Sequence, residues 1–329
     1  MTRFDIIIPV YNVEEYLPDT LKSLEAQSFK DFRAILVDDG STDSCPQLCD
    51  DFRASRPETV VIHKPNGGLI SARRSGIAAA QGEFIMFCDG DDMLKPEALE
   101  ELNRAICESG ADMVIFNAET FEGGVRTPFF ENVLPEGEVA DKRLIYDRLF
   151  TDYCLNSMCL KATRRELFDA DRDYSGFYGC SVAEDLLQSV PLLLAAEKII
   201  YLNKALYDYR MASGMTRKFN PEYYFDNKAV SLDIRERLAG EGIEDFEQKV
   251  AFHLLIAAYA GTTRLKYADS FDFRVLDRIN ADEEFIQAWD RVWNHPLSAR
   301  FSPKQRLLLK LLKGRNYGAI RLLLKARGK

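Results

Sequence analysis

Along the first third of the chain, short apolar blocks alternate with amphipathic stretches. Phe4–Val10 (FDIIIPV) is a β-rich run broad enough for burial on both faces, and it predicts a strand. Asn12, with Glu15 following, has the pattern of a capping box. Tyr16, Leu17, Thr20, Leu21 and Leu24 then recur at helical spacing to about Gln27, with Pro18 tolerable near the helix start. Phe32–Val37 predicts a second strand and is followed by a helix through Phe52. Thr59–His63 predicts a third strand, and Lys64–Gly68 a turn. Ile70–Ala80 reads as a small-residue helix broken by Gly82. Phe84–Cys88 predicts a fourth strand, Pro96–Ser109 a helix stopped by Gly110, and Met113–Asn117 a fifth strand.

Such alternation with short links predicts an α/β layer with a mainly parallel central sheet flanked by helices. The first, second and fourth strands end in acidic or polar clusters. The fourth runs into Asp89-Gly90-Asp91-Asp92. In open α/β sheets, ligands bind just outside the carboxyl ends of the strands. Carboxylates crowded there repel one another unless a cation sits among them, and hard oxygen ligands suit Mg²⁺ or Mn²⁺. The alternative is a polar turn whose acids cap the helix that starts at Lys95-Pro96-Glu97.

After Glu119 the pattern loosens. Phe121–Glu138 predicts a loop or hairpin, Asp141–Phe150 a helix, and Met158–Lys161 a strand. Ser175–Cys180 is an aromatic loop leading to Glu184-Asp185 and an apolar helix over Leu186–Ala196. Ile199–Tyr207 predicts a last strand, and from about Pro221 the pattern is helical. Residues 1–217 read as one domain and 218–329 as a helical C-terminal region ending in a basic tail.

Composition narrows the function classes. An apolar content of 47% in 329 residues supports a sizeable core. Seven scattered Cys argue for reduced thiols in a cytoplasmic protein, and no N-terminal signal pattern or spanning apolar run is seen. Only three His are present, far apart, which disfavours a His-based metal site or a Ser-His-Asp triad. The net charge of −9 is unevenly spread. From Ala299 onward there are ten Lys or Arg and no acid, leaving 33 basic against 52 acidic residues before it. Nucleic acid is not expected as a partner. The tail carries two Leu-rich segments, Leu307–Leu312 and Ile320–Leu324, each too short to span a bilayer. It reads either as a basic amphipathic element for an anionic membrane surface or as a helical pair packed on the body.

Ile6–Asn12 (IIIPVYN), Leu36–Ser41 (LVDDGS), Lys64–Arg73 (KPNGGLISAR), Asp89–Asp92 (DGDD) and Glu184-Asp185 occur in this order. The set resembles the family 2 glycosyltransferases, inverting enzymes with the A-type (GT-A) nucleotide-diphospho-sugar transferase fold. The resemblance covers about Phe4 to Thr216. Its IIIPVYN element places Pro9 and Tyr11 at the nucleotide-sugar, and a Tyr at a strand end can stack on a base. The second acid of LVDDGS, Asp39, is implied to read the base, since a carboxylate accepts from the N–H of uracil. Asp38 reads as structural, holding amides of the Gly40-Ser41 turn. Asn66-Gly67-Gly68 is a permissive turn that lets backbone approach a ligand. Arg73 is implied to face the nucleotide or its phosphates. The DGDD element implies Asp91 as metal ligand and Asp89 on ribose or metal waters, with Asp92 sharing the metal or capping the helix. Asp185 is implied as general base, with Glu184 orienting it or binding acceptor. Like charges this close raise one acid's pKa. Tyr209-Arg210 and Ser213 resemble a late element that closes over the diphosphate; this chain has no His near it.

The implied function is inverting transfer of a sugar from a nucleotide-sugar, most simply a UDP-sugar, to a glycan or lipid-linked acceptor in surface polysaccharide synthesis. The implied place is the cytoplasm, peripheral at the inner face of the plasma membrane. A nucleotidyltransferase would want a Gly-rich basic phosphate loop, where this chain has Glu14 and Glu15. A degenerate binding or scaffold protein would be expected to lack an acid at 91 or 185, and both are present.

Overall fold

A computed structural model describes residues 2–129, 131–137, 139–150, 155–169, 172–180, 182–211, 219–268 and 270–325. The chain divides into two units, Met1–Lys142 with Cys154–Ser213, and Arg143–Tyr153 with Gly214–Lys329.

The first unit is built on one mixed sheet. Its strands are β1 (Phe4–Val10), β2 (Phe32–Asp38), β3 (Val60–His63), β4 (Phe84–Phe87), β5 (Met93–Leu94), β6 (Met113–Glu122), β7 (Val125–Pro128), β8 (Lys161–Arg164) and β9 (Ile199–Arg210). They lie in the order β3-β2-β1-β4-β8-β6-β9-β5, with β7 hairpinned onto β6. β3, β2, β1 and β4 are mutually parallel, as the alternating pattern predicts. β8 then enters antiparallel between β4 and β6, and β9 returns parallel to β6. The β8 strand begins where the predicted Met158–Lys161 strand was expected to end. Residues 155–160 are largely buried without strand pairing, so apolar character there marks packing rather than extension.

Every residue of β1 is buried, because both its edges are paired and both its faces covered. Even Asp5 is 0% exposed. Its carboxylate accepts a forked pair from Arg33 (2.9 and 2.8 Å) and the amides of Gln81 (2.6 Å) and Gly82 (2.7 Å). A buried charge is tolerated when its lone pairs are taken up in this way. Helices α1 (Leu17–Glu25), α2 (Cys45–Ser55), α3 (Gly68–Ala79) and α4 (Ala98–Ser109) fill the crossovers. After α5 (Lys142–Leu149), which lies in the second unit from Arg143 on, α6 spans Glu184–Ala195.

The predicted capping box does not form. α1 starts at Leu17, and its N-cap Tyr16 makes no side-chain cap. Asn12 instead adopts a left-handed backbone (φ 51°), and its carboxamide oxygen accepts from Thr42 N at 2.8 Å. Glu14 accepts from Ser44 N at 2.9 Å. The polar residues after β1 are therefore used across the sheet edge, against the loop that follows β2.

The second unit is helical. It adds α7 (Tyr223–Leu238), α8 (Phe246–Arg264), α9 (Phe273–Ala281), α10 (Glu283–Val292), α11 (Pro303–Lys313) and α12 (Tyr317–Lys325). α8 runs through its core, burying Val250, Ala251, Leu254, Leu255 and Ala258. The earlier segment contributes Phe150, whose ring lies 6.0 Å from Phe246 and 5.7 Å from His253. Lys249 reaches back to Asp147 at 2.7 Å. Periodicity alone does not reveal that residues 143–153 join the helices that follow 213. No helix among the described residues is long and apolar enough to cross a membrane.

Candidate active site

Parallel register brings the strand ends of the first unit together. Val10 pairs with Asp38 and Ile7 with Phe87, so Tyr11, Asp39 and Asp89 leave the sheet at one edge. Pro9 is buried within β1, and Tyr11 just beyond it is 50% exposed, with its ring available to a ligand.

Asp38 accepts from Ser41 N at 2.9 Å, as the turn predicts, and its other oxygen lies 2.8 Å from His63 Nδ1. Asp39 is only 3% exposed. It accepts from Gly67 N (3.0 Å), Gly68 N (2.8 Å) and the Lys64 ammonium. The Asp39 carboxylate is thus a fixed acceptor that also shapes the glycine turn. Gly68 must be glycine: its φ is +83°, and a Cβ would sit 2.8 Å from the Tyr178 carbonyl. Asn66, in the same turn, is exposed.

The DGDD loop is clamped through its backbone. Thr20 Oγ1 donates to Gly90 O (3.0 Å) and Asp92 O (2.7 Å), and Arg210 Nε donates to Asp91 O (2.8 Å). Asp89 N donates to the Tyr207 hydroxyl at 3.1 Å. Gly90 lies so close to β1 that a Cβ would come within 3.0 Å of Pro9 O. Asp92 is buried; it accepts from Tyr207 Oη and from Arg210 N, each at 2.7 Å. Desolvation, then the Asp91 and Asp89 charges, push its pKa well up. Asp92 therefore anchors β9 and does not cap the next helix. Arg210 also pairs with Asp19 at 3.0 Å and packs over Tyr16, so its fork is engaged at the loop. Ser213, with Gly214, Met215 and Thr216, lies outside the described residues.

Arg73 is the hub. It is 1% exposed, on the α3 face that packs against the sheet, with its guanidinium over the Phe87 ring. Its Nη1 donates to Asp185 Oδ1 at 2.5 Å and its Nη2 to Asp89 Oδ1 at 3.3 Å. Burial opposes the guanidinium charge, and Asp185 and Asp89 more than offset it. The side chain expected to face the nucleotide is instead committed to two carboxylates. Sequence spacing could not show this, because the partners lie on β4 and α6.

Glu184 and Asp185 open α6, whose N-terminus favours negative charge. The residue before them, Ala183, holds a left-handed φ of 61°, a strained state for a non-glycine residue. Glu184 is pushed up to about 7 by desolvation and then by the charge of Asp185, with Arg73 pulling the other way. Asp89, whose side chain is 32% exposed, is also raised, by desolvation first, while Arg73 lowers it and Asp185 and Asp91 raise it. No three His, Cys, Asp or Glu side chains among the described residues gather into a complete metal cage. Asp89 and partly exposed Asp91 fit a hydrated Mg²⁺ or Mn²⁺ that takes its remaining oxygens from water and phosphate. Sequence reasoning missed Thr20, Lys64 and Tyr207, whose roles depend on partners brought close only by the fold.

The family model described as "Glycosyl transferase family 2" matches residues 5–171. The glycosyltransferase GlyA of Streptococcus pneumoniae is 32% identical over 64% of this chain, a match that spans 31% of GlyA. The poly(ribitol-phosphate) beta-N-acetylglucosaminyltransferase TarS of Staphylococcus aureus is 30% identical over 88% of this chain and 50% of its own length. The crystal structure of S. aureus TarS 1-349 in complex with UDP-GlcNAc aligns with a TM-score of 0.69 and 25% identity, covering 98% of this chain and 91% of that one. The chain thus spans between a third and a half of the two sequence relatives. The mixed sheet of the first unit is the GT-A fold, and the match to TarS 1-349 extends over the helical C-terminal region as well.

Proposed function

The chain belongs to glycosyl transferase family 2, and from that premise we propose that it transfers a sugar from a UDP-sugar to a hydroxyl of a surface glycan or lipid-linked acceptor, with inversion at the anomeric carbon. The observation that carries the reading is the convergence of Asp89 and Asp185 on buried Arg73, at the same sheet edge as Tyr11 and Asp39. That edge gathers Asp89, Asp185 and Arg73 beside Tyr11 and Asp39, which supports a single site for donor and base. Similarity to TarS, whose structure holds UDP-GlcNAc, favours a uridine donor.

In this reading Tyr11 stacks on the uracil, and Asp39 accepts its N–H from the pocket formed with Gly67 and Gly68. Asp89 and Asp91 would hold Mg²⁺ or Mn²⁺, which would supply positive charge beside the leaving diphosphate. Asp185 takes the proton of the acceptor hydroxyl as that oxygen forms its bond to C1 and the C1–O bond to UDP breaks. Glu184 sets the charge around that base. Arg73 fixes the aim of Asp185 and ties it to Asp89. A lipid-linked acceptor would be presented at the inner face of the plasma membrane, which makes that face the proposed place of work.

The test is release of nucleotide from a panel of UDP- and GDP-sugars, with and without Mn²⁺ and soluble glycan acceptors. A UDP-sugar should be consumed with release of UDP, and UDP should bind more tightly than GDP. Release of pyrophosphate would favour a nucleotidyltransferase. Donor binding without turnover on any acceptor would favour a degenerate binding protein.

A further inference from the structure

The last two helices have more apolar surface than their own packing uses. α11 buries Leu308, Leu309 and Leu312, and α12 buries Ile320 and Leu324. These residues account for the hairpin as part of the helical unit. They do not account for Leu307, Leu322 and Leu323, which are 47%, 72% and 39% exposed. Single exposed apolar residues are ordinary. Here, however, every leucine among the described residues that is this exposed lies in these two helices. By helical geometry Leu322 lies opposite the buried Ile320 and Leu324, with Arg321 and Lys325 on the flank beside it. Leu307 stands on its helix between Lys304 and Lys310.

The charges around these leucines have one sign. From Pro303 to Lys325 there is no acid. Within that segment and among the described residues, the ion pair is Arg315 with Asp277, 3.9 Å apart and exposed. Lys304, Arg321 and Lys325 are exposed and enter no ion pair among the described residues.

We propose that the α11–α12 hairpin is a docking surface for an anionic lipid bilayer. Its occupied face would stay in the protein. Its second face would lay Leu307, Leu322 and Leu323 into the headgroup boundary, with Lys and Arg reaching up to lipid phosphates. A bilayer is the one partner that takes both features. A soluble polyanion would satisfy the cations and leave three leucines wet. A second copy of the chain, meeting like face to like face, would set Lys and Arg against the same Lys and Arg with no acid between them. The inference rests on this surface alone and stands whether or not the chain transfers sugar.

The experiment is co-sedimentation of the full chain with vesicles of phosphatidylcholine alone or mixed with phosphatidylglycerol, at low and high salt. Binding should require phosphatidylglycerol and weaken with salt. A Lys304→Gln, Arg321→Gln, Lys325→Gln variant should bind on the order of a hundredfold more weakly. A Leu307→Ser, Leu322→Ser, Leu323→Ser variant should lose at least about tenfold. Since all six side chains are exposed, both variants should melt like the parent. No sedimentation of the parent with anionic vesicles at low salt would overturn the proposal. So would a leucine variant that binds as tightly as the parent, the mark of a surface that reads charge only. A parent that ignores vesicles but forms a dimer abolished by the leucine changes would assign the face to self-association. UDP-sugar turnover on a soluble acceptor should be the same in all three proteins. Its absence in the parent would count against sugar transfer without touching the vesicle result.

Discussion

Arg73 and Asp185 lie 112 residues apart in sequence and 2.5 Å apart in space, and the guanidinium that joins them is 1% exposed. Removing the arginine leaves Asp185 and Asp89, each about a third exposed, without the cation between them. Arg73→Met should therefore cost on the order of 1–3 kcal/mol of stability, read as a lower denaturation midpoint. Arg73→Lys keeps the charge but loses the planar fork that spans Asp185 and Asp89. It should keep more of the stability while turnover drops on the order of tenfold or more, because a base off its aim is a poor base. Parent-like turnover in a folded Arg73→Lys protein would show that the fork has no part in positioning.

Asp91 and Asp92 are adjacent, and their replacements should fail in different ways. Asp91→Asn should melt like the parent and lose transfer by on the order of a hundredfold or more, as should the parent in excess EDTA. Asp92→Asn places an amide group against the Arg210 N–H or the Tyr207 hydroxyl, both of which now donate to a carboxylate. It should cost about 1–3 kcal/mol of stability, with activity lost as the loop loosens. Full activity of folded Asp91→Asn, or of the parent in EDTA, would remove the metal from the mechanism.

The contrast between these two acids marks how far the sequence could be read. The parallel half of the sheet is written in runs such as FDIIIPV and FRAILV, because strands buried on both faces need continuous apolar sequence. The edge at which Tyr11, Asp39 and Asp89 emerge follows from that parallel order. What could not be read is which acid faces outward. Asp89, Asp91 and Asp92 are chemically alike in sequence, and only β9 passing behind the loop turns Asp92 inward to Tyr207. Asn12 and Glu15 have capping chemistry, but Asn12 finds a stronger use across the sheet edge, on Thr42. Arg73 looked like a phosphate ligand because its two carboxylates arrive from distant segments.

Asp185 and Glu184 should separate by pH as well as by substitution. Asp185→Asn should cut turnover by about 10²–10⁴-fold and spare donor affinity, since the proposed base would act on the acceptor. Glu184, raised to about 7, is protonated at lower pH and charged above it. Its negative charge would favour proton transfer from the acceptor hydroxyl into this site. Turnover should thus climb as pH passes through about 7, and Glu184→Gln should flatten that limb and lower the plateau. The check is the pH profile of kcat for both proteins at saturating donor. An identical limb in Glu184→Gln would assign it to another group.

His253 gives the second unit a stability that depends on pH. It is 2% exposed on α8, with the Phe150 ring 5.7 Å away, and burial depresses its pKa from 6.5 to about 4. A buried imidazole is tolerated neutral and resisted as a cation. Between these two values the unfolded chain binds the proton and the folded chain does not, so stability rises with pH. The contribution is fully present above pH 6.5 and is lost as pH falls toward about 4. A depression of this size corresponds to roughly 3 kcal/mol, of which the greater part should be gone by about pH 5. His253→Phe replaces the ring with one that cannot take a proton, at the cost of some repacking. The parent should lose stability steeply between about pH 7 and pH 5 in denaturant melts, and His253→Phe should lose distinctly less over the same interval. Because the comparison is between slopes rather than absolute stabilities, a poorly packed phenylalanine would not disguise the result. Parallel slopes in the two proteins would place the acid sensitivity elsewhere in the chain.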